Sequence, residues 1–328
     1  MGRKFTAELR PGDRVDATFA LTAKEMRAAR TGEAYLSLEL RDRTGRIPGI
    51  MFRPGREAEA VPVGVVVRTR GIVTEYRGVA RVSVDSLTVA DRYEPREILP
   101  TGTRDERELM AELRFLIASV KRPALAALLR AVFGDVGMMR RFRVWPATVD
   151  GHHSYLGGLL EHTVGVASMC AHLTEAISHA DADLLLTGAL LHDVGVVDAI
   201  DIGAGLHASD EGRLLGHSWL TIRRVESVLA ALKTGVDGDD RAGLLHMIGA
   251  HDDREAGEGL RPQTIEALVL AHADHVDSDI ARFLDVTGRA RIVGERWTDA
   301  DNRFGRHLRV PEGEGPRAGE GPRAGAVA

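Results

Sequence analysis

The chain changes its hydrophobic period once, and that change limits what it can fold into. Up to about residue 90 apolar side chains recur every second position; from Asp105 onward they recur every three to four. A period of two marks strands with one buried face, and a period near 3.6 marks amphipathic helices. The two stretches therefore read as separate units. Between them, Tyr93–Arg104 carries Pro95, Pro100 and Gly102 and reads as a linker.

In the first stretch Val15, Ala17, Phe19 and Leu21 alternate inward. Tyr35, Leu36, Leu38 and Leu40 do the same among polar neighbours, so Tyr35 and Phe19 are expected in a core. Asp42-Arg43-Thr44-Gly45 is a turn, and Arg46–Phe52 is the return strand. Gly64–Gly71 and Val79–Val89 supply two more strands, set apart by the hairpin signal Tyr76-Arg77-Gly78. About five strands without a long helix predict a small barrel, for which the five-stranded OB-fold is the best candidate.

The second stretch predicts helices. Leu109, Leu113, Leu116 and Ile117 form one apolar stripe, and Leu125, Leu128, Leu129 and Val132 form another after Pro123. Further helices are expected over Tyr155–Ile177, Asp183–Leu191, His217–Leu232, Ala242–Ala250 and Gln263–Leu284. Pro311–Ala328 repeats Glu-Gly-Pro-Arg-Ala-Gly, has nothing to bury, and reads as a disordered tail. The expected organisation is multidomain: a small all-β barrel over 8–92, a linker over 93–104, an all-α domain over 105–310, and a tail over 311–328.

Composition narrows the function classes. Hydrophobic residues make up 44% of the chain and charged residues 28%, enough apolar material for two cores. The single cysteine, Cys170, excludes a disulfide framework and a Cys-rich zinc site, and reads as a small core residue. No apolar run approaches the ~18 residues of a membrane span, and Met1–Arg14 lacks an apolar leader, so a cytoplasmic protein without membrane partners is expected. Residues 1–90 hold 16 Lys/Arg against 11 Asp/Glu, a balance of +5, which leaves −10 for the rest of a chain whose net charge is −5. A basic module suits a polyanion and an acidic one suits metal ions, although ordinary surface scatter produces the same +5.

All 13 histidines lie at or beyond residue 152. His162 shares a helix face with Val166, Met169 and Leu173; His192-Asp193 ends the apolar run Leu184–Leu191; Asp274 interrupts another apolar helix. A lone histidine in such a place is as a rule a hydrogen-bonded core residue. A carboxylate there is costly unless it is paired or metal-bound. His162, His192, Asp193 and Asp274 together form a plausible nitrogen–oxygen shell for Mn²⁺, Fe²⁺, Ni²⁺, Co²⁺ or Zn²⁺. Additional histidines at 217, 246 and 251 offer a second ion, with Asp193 bridging, as in-line phosphoryl displacement by two metals requires.

The order of these residues resembles that of the HD-domain metal-dependent phosphohydrolases. The segments His152-His153-Ser-Tyr155 through Glu161-His162, Gly-Ala-Leu-Leu-His192-Asp193-Val-Gly195, Glu211-Gly-Arg213 through Gly216-His217 and His272-Ala-Asp274-His-Val-Asp277 are similar to the YhaM-type 3′–5′ exoribonucleases, in which an OB-fold domain precedes the HD domain. Gly12-Asp13-Arg14-Val15 and Gly32 through Gly45 resemble that OB module, and the likeness spans roughly residues 8–310. It implies cleavage of single-stranded RNA, and of single-stranded DNA as a further substrate, from the 3′ end to nucleoside monophosphates. It implies a divalent ion, Mn²⁺ first and Mg²⁺ among the others. By position, His162, His192, Asp193 and Asp274 match the primary metal ligands and His217 and His251 a second set. His246, Asp252 and Asp277 are further metal or supporting candidates, and His152 and His153 candidate catalytic contacts beside Asp193.

Two positions depart from the pattern. Val196 stands where the family usually has a lysine, leaving Arg213 or Arg223 to meet a substrate phosphate, and Asp252-Asp253 follows His251 where His-Gly is usual. On the barrel, Tyr35 and Phe52 (with Phe19 and Tyr76) are candidate base platforms, and Arg43, Arg53 and Arg77 candidate phosphate contacts. Three readings stay open: the exoribonuclease, a phosphohydrolase of free nucleotides with a regulatory OB domain, and a single-strand-binding protein with a degenerate HD domain. Apolar HD helices can also pair in a homo-oligomer.

Overall fold

The structure is a computed structural model that describes residues 3–28, 32–232, 235–252, 260–292 and 294–312. Over the described residues it divides into two compact units: 3–101 with Ile202–Leu206, and Gly102–Asp201 with His207–Pro311. The expected tail over 311–328 lies outside the described residues apart from Pro311 and Glu312.

The first unit is built on strands β1 (Arg14–Ala28), β2 (Ala34–Asp42), β3 (Gly45–Phe52), β4 (Val66–Tyr76) and β5 (Val79–Val89). They close into a barrel in the order β1-β2-β3-β5-β4, with β3 and β5 parallel and the other pairs antiparallel. That order and closure are those of an OB-fold. β1 is long enough to pair with both β2 and β4, and its register shifts between Leu21 and Ala23 where it turns from one to the other. Phe19, Leu21, Leu36, Leu38, Leu40, Val67, Val73 and Val82 fill the interior. At Gly71 a Cβ would stand 2.1 Å from the Ser83 carbonyl oxygen, so only glycine allows β4 and β5 to meet at their register shift.

Tyr35 corrects the sequence expectation. It lies on the outer face, opposite Phe52 in the register, with ring centroids 5.7 Å apart. Successive strand residues point to opposite faces, so Tyr35 cannot share the interior with Leu36, and the Leu36-Leu38-Leu40 series takes it. Phe19, by contrast, is fully buried.

The second unit is helical: α1 (Glu106–Ser119), α2 (Pro123–Gly134), α3 (Gly158–Ala176), α4 (Ala182–Leu191), α5 (His217–Ala231), α6 (Gly238–Ala250) and α7 (Ile265–Ile292), with shorter turns between. Three ends differ from the sequence reading by three residues or more. α3 starts at Gly158, because Gly157 holds φ +87°. α6 starts four residues before the expected Ala242, because the Asp237 side chain accepts from the Asp240 N–H and caps it. α7 runs past Leu284 to Ile292, since buried Thr287 and Ala290 continue its packed face. No described helix is long and apolar enough to cross a membrane.

One buried carboxylate ties down the start of the barrel. Asp42 accepts from the Thr6 N–H and hydroxyl at 2.8 Å each, and from the Thr44 N–H and hydroxyl at 2.8 and 2.7 Å. Asp42→Ala strands these donors and is expected to destabilise the barrel by about 2 kcal/mol. Urea denaturation followed by far-UV circular dichroism reads this as a lower midpoint.

Candidate metal centre

The helical unit brings histidines and aspartates from five helices to one point. His162 comes from the first turns of α3, and His192-Asp193 from the end of α4. His217 is the first residue of α5, His251 follows the last residue of α6, and Asp274 and Asp277 lie on α7. His162, His192, Asp193, His251 and Asp274 are all buried, whereas the His217 side chain is 31% exposed and marks the open edge.

The tautomers follow from what each ring bonds on its far side. His192 Nδ1 lies 2.8 Å from the Ala189 carbonyl, and His251 Nδ1 lies 2.7 Å from the Ile248 carbonyl. The same device operates at both helix ends: the ring reaches back three residues to a carbonyl that the ending helix leaves free. His162 Nδ1 lies 2.8 Å from Asp277 Oδ2. A carbonyl or carboxylate can only accept, so each Nδ1 carries hydrogen and each neutral ring presents a bare lone pair at Nε2.

Those lone pairs face one another. His162 Nε2 and His192 Nε2 are 3.1 Å apart, and His217 Nε2 and His251 Nε2 are 3.2 Å apart. Asp193 stands between the two pairs. Its Oδ2 lies 3.6 Å from His162 Nε2 and 3.7 Å from His192 Nε2, while its Oδ1 lies 3.5 Å from both His217 Nε2 and His251 Nε2. Asp274 Oδ1 adds an oxygen 3.1 Å from His162 Nε2. Buried Asp193 Oδ1 takes no geometrically sound hydrogen bond from any described residue. Neutral imidazoles and carboxylates so arranged repel unless a cation lies among them. This nitrogen–oxygen set, free of thiolate, fits a divalent metal.

The electrostatics agree. Burial alone would raise the Asp193 pKa, but His192, His217 and His251 more than offset it and hold the carboxyl well below the usual range. Asp274 is likewise lowered against its burial, chiefly by His162. Burial pushes His192 down to about 4 and His152 down to about 2. At His251 burial is outweighed by Asp193 and Asp274, and the pKa rises to about 9.

Support for His162 comes from behind. Asp277 Oδ2 also lies 2.8 Å from His153 Nε2, and His153 Nδ1 lies 2.7 Å from the Tyr155 hydroxyl, which donates to Glu161 at 2.8 Å. Both His153 nitrogens are thus engaged, and the residue is held at φ +47°, strained backbone beside the centre. Two glycines make room. A Cβ on Gly165 would stand 2.5 Å from Asp277 Oδ1, and one on Gly195 would stand 2.2 Å from the Thr221 N, where α5 crosses directly behind Asp193.

The remaining sequence candidates fall elsewhere. His246 Nε2 accepts from the Gln263 N–H, and neither His246 nor Asp252 joins a metal-spaced group among the described residues; Asp253 lies outside them. Val196 is buried. Arg213 donates to the Ala208 carbonyl, and Arg223 forks onto Glu211. Sequence reasoning missed Arg282, whose Nη2 lies 3.4 Å from His152 Nδ1. The signal was present, because Arg282 follows Asp274 by two helical turns on α7.

Among the shifted histidines, His251 and His192 illustrate the pH profile of the chelated protein. The folded pKa of His251 lies above the unfolded value of about 6.5, so its stabilisation is complete below that pH and is lost as pH rises through about 9. His192 is depressed to about 4, and being buried neutral it costs stability increasingly as pH falls from about 6.5. In chelator, the histidine contribution to the melting temperature is expected to peak near pH 6.5. Added Mn²⁺ is expected to raise the melting temperature more at higher pH, because it competes with fewer protons. Thermal melts across that range check both; a gain that shrinks as pH rises contradicts the assignment.

Residues 159–279 match the HD domain family. The chain is 27% identical over 274 residues to a 3′-5′ exoribonuclease YhaM of Geobacillus sp. (strain WCH70), covering 81% of this chain and 83% of that one. It is 26% identical over 299 residues to the YhaM of Halalkalibacterium halodurans, covering 89% and 92%. Among solved structures, the second OB-fold domain of replication protein A from Methanococcus maripaludis aligns at 22% identity and TM-score 0.22, over 28% of this chain and 99% of that one. The OB assignment rests on strand order and closure and not on that alignment. The helical unit is an HD domain, and the chain, barrel included, resembles the YhaM proteins over most of their length.

Proposed function

We propose that the chain is a divalent-metal-dependent 3′–5′ exoribonuclease that shortens single-stranded RNA to nucleoside monophosphates. The observation that carries this reading is the pair of Nε2 lone-pair sets facing the two oxygens of one buried carboxylate, Asp193. His162, His192, Asp274 and Asp193 Oδ2 would hold one cation, and His217, His251 and Asp193 Oδ1 a second. Such a pair, Mn²⁺ in this reading, supplies charge neutralisation at the phosphoryl oxygens and a water acidified for in-line attack.

The chain's own groups do the rest. Asp193, kept ionised, fixes the distance between the two sets, and Asp277 and the two helix-end carbonyls keep the Nε2 atoms of His162, His192 and His251 turned inward. Half-buried His217 leaves the centre open on one side, where a strand end can enter. His152, neutral through burial, offers a hydrogen-bonding ring beside His162 without adding positive charge.

The barrel supplies a surface suited to a single strand. Tyr35 and Phe52 stack at a tilt on its outer face with Phe52 48% exposed, and exposed Tyr76 is flanked by Arg77 and Arg81. Arg53 pairs with Glu33 in the open, and Arg43 lies over the Phe5 ring. Exposed aromatics among arginines bind bases by stacking and phosphates by charge, with little regard to sequence. The relatives' names and this surface both favour a polymeric substrate over a free nucleotide.

The test is a 5′-labelled single-stranded RNA incubated with the protein and Mn²⁺. A ladder descending from the 3′ end is expected, abolished by chelator and by His192→Ala or Asp193→Ala, each by roughly a thousandfold or more. Full activity in either variant, or turnover of mononucleotides in place of the RNA, contradicts the reading. A DNA strand of the same sequence reports whether the 2′-hydroxyl is read.

A further inference from the structure

An acidic metal centre that receives a phosphodiester needs a fixed cation of its own to orient the substrate. Asp193, Asp274 and Asp277 crowd the site with carboxylates. The position after Gly195, where the sequence pattern leads one to look for a lysine, is Val196, and its side chain is buried in the core at 2% exposure. Arg213 is turned to the Ala208 carbonyl, and Arg223 is clamped by Glu211 beside the Trp219 ring. Neither points to the histidines.

Arg282 does. On α7, Asp274, Ser278 and Arg282 follow at four-residue spacing and share one face, with Asp274 and Ser278 buried and the Arg282 side chain 26% exposed. Its Nη2 lies 3.4 Å from His152 Nδ1, and the His152 ring lies 4.9 Å from that of His162. Its other contact, Nη1 to Asp279 Oδ1, is 3.3 Å. Both distances sit at the long end for an N–H donor, so the guanidinium is held in place without being saturated. An arginine stays charged whatever its surroundings, and its planar fork presents paired N–H groups that match two oxygens of one phosphate.

We propose that Arg282 is the phosphate-binding residue of this centre, receiving the non-bridging oxygens of the 3′-terminal phosphodiester. The assignment rests on the exoribonuclease reading for the identity of the substrate, but not for the contact itself. His152 and Asp279 aim the guanidinium, and α7 fixes its distance from Asp274, so ligand and phosphate receptor move as one rigid element.

The experiment compares Mn²⁺-loaded wild type with Arg282→Ala and Arg282→Lys in three readouts: bound metal, affinity for inorganic phosphate by calorimetry, and kcat and KM on the labelled RNA. Bound metal is expected to be unchanged. Phosphate affinity and kcat/KM are expected to fall together in Arg282→Ala, by roughly tenfold to a hundredfold. Arg282→Lys is expected to recover part of the loss, as a point charge without the fork. Arg282→Ala within about twofold of wild type in both phosphate binding and cleavage overturns the proposal while leaving the nuclease reading intact. Loss of metal from that variant overturns it as well, since the residue would then serve the centre's integrity. A wild type that leaves RNA uncut, yet loses phosphate affinity on substitution, upholds the contact and sinks the nuclease reading.

Discussion

Everything in the helical unit turns on one electrostatic constraint: a buried carboxylate between imidazole nitrogens that carry no hydrogen. Isolated burial of Asp193 would be prohibitive. The structure meets that cost by surrounding it with His162, His192, His217 and His251, and it commits the Nδ1 hydrogens of His162, His192 and His251 elsewhere. The result is a cluster of acceptors whose mutual repulsion only positive charge relieves. Without metal that charge is a proton, which is why His162 and His251 are raised while His192 is not.

The fold serves this constraint through its helix ends. His192 and His251 each follow a helix and each spend Nδ1 on a carbonyl of the last turn, so that termination of α4 and α6 also orients a ring. His217 opens α5, which passes so close behind Asp193 that residue 195 must be glycine. α7 brings three functions on one helix: an oxygen at Asp274, the brace of His162 at Asp277, and a guanidinium at Arg282. A long, stiff helix is what keeps these in register.

Much of this was legible in the amino-acid order, and the exceptions have physical causes. The barrel and the helical unit follow from the change of period. The misreading of Tyr35 came from hydrophobicity outweighing parity, since an aromatic before a leucine series cannot lie on the same face. The start of α6 was signalled by Asp237 and the acidic first turn behind it, but its weakly apolar residues hid it. The buried aspartates stood out because carboxylates inside apolar helices are rare. Arg282 did not, because an arginine on a helix is usually solvated: its spacing from Asp274 puts it on the same face, but only the fold shows it 3.4 Å from His152. Tautomers, too, lie beyond sequence: they depend on Ala189 and Ile248 carbonyls that any residue would provide.

The central claim is that two sets of lone pairs share Asp193 in order to hold divalent cations. Anomalous diffraction from crystals soaked in Mn²⁺ tests it most directly. The account predicts a peak bounded by His162, His192, Asp193 and Asp274, and a second bounded by Asp193, His217 and His251. Density elsewhere, with these imidazoles bonded to one another and Asp193 touching no ion, would contradict it.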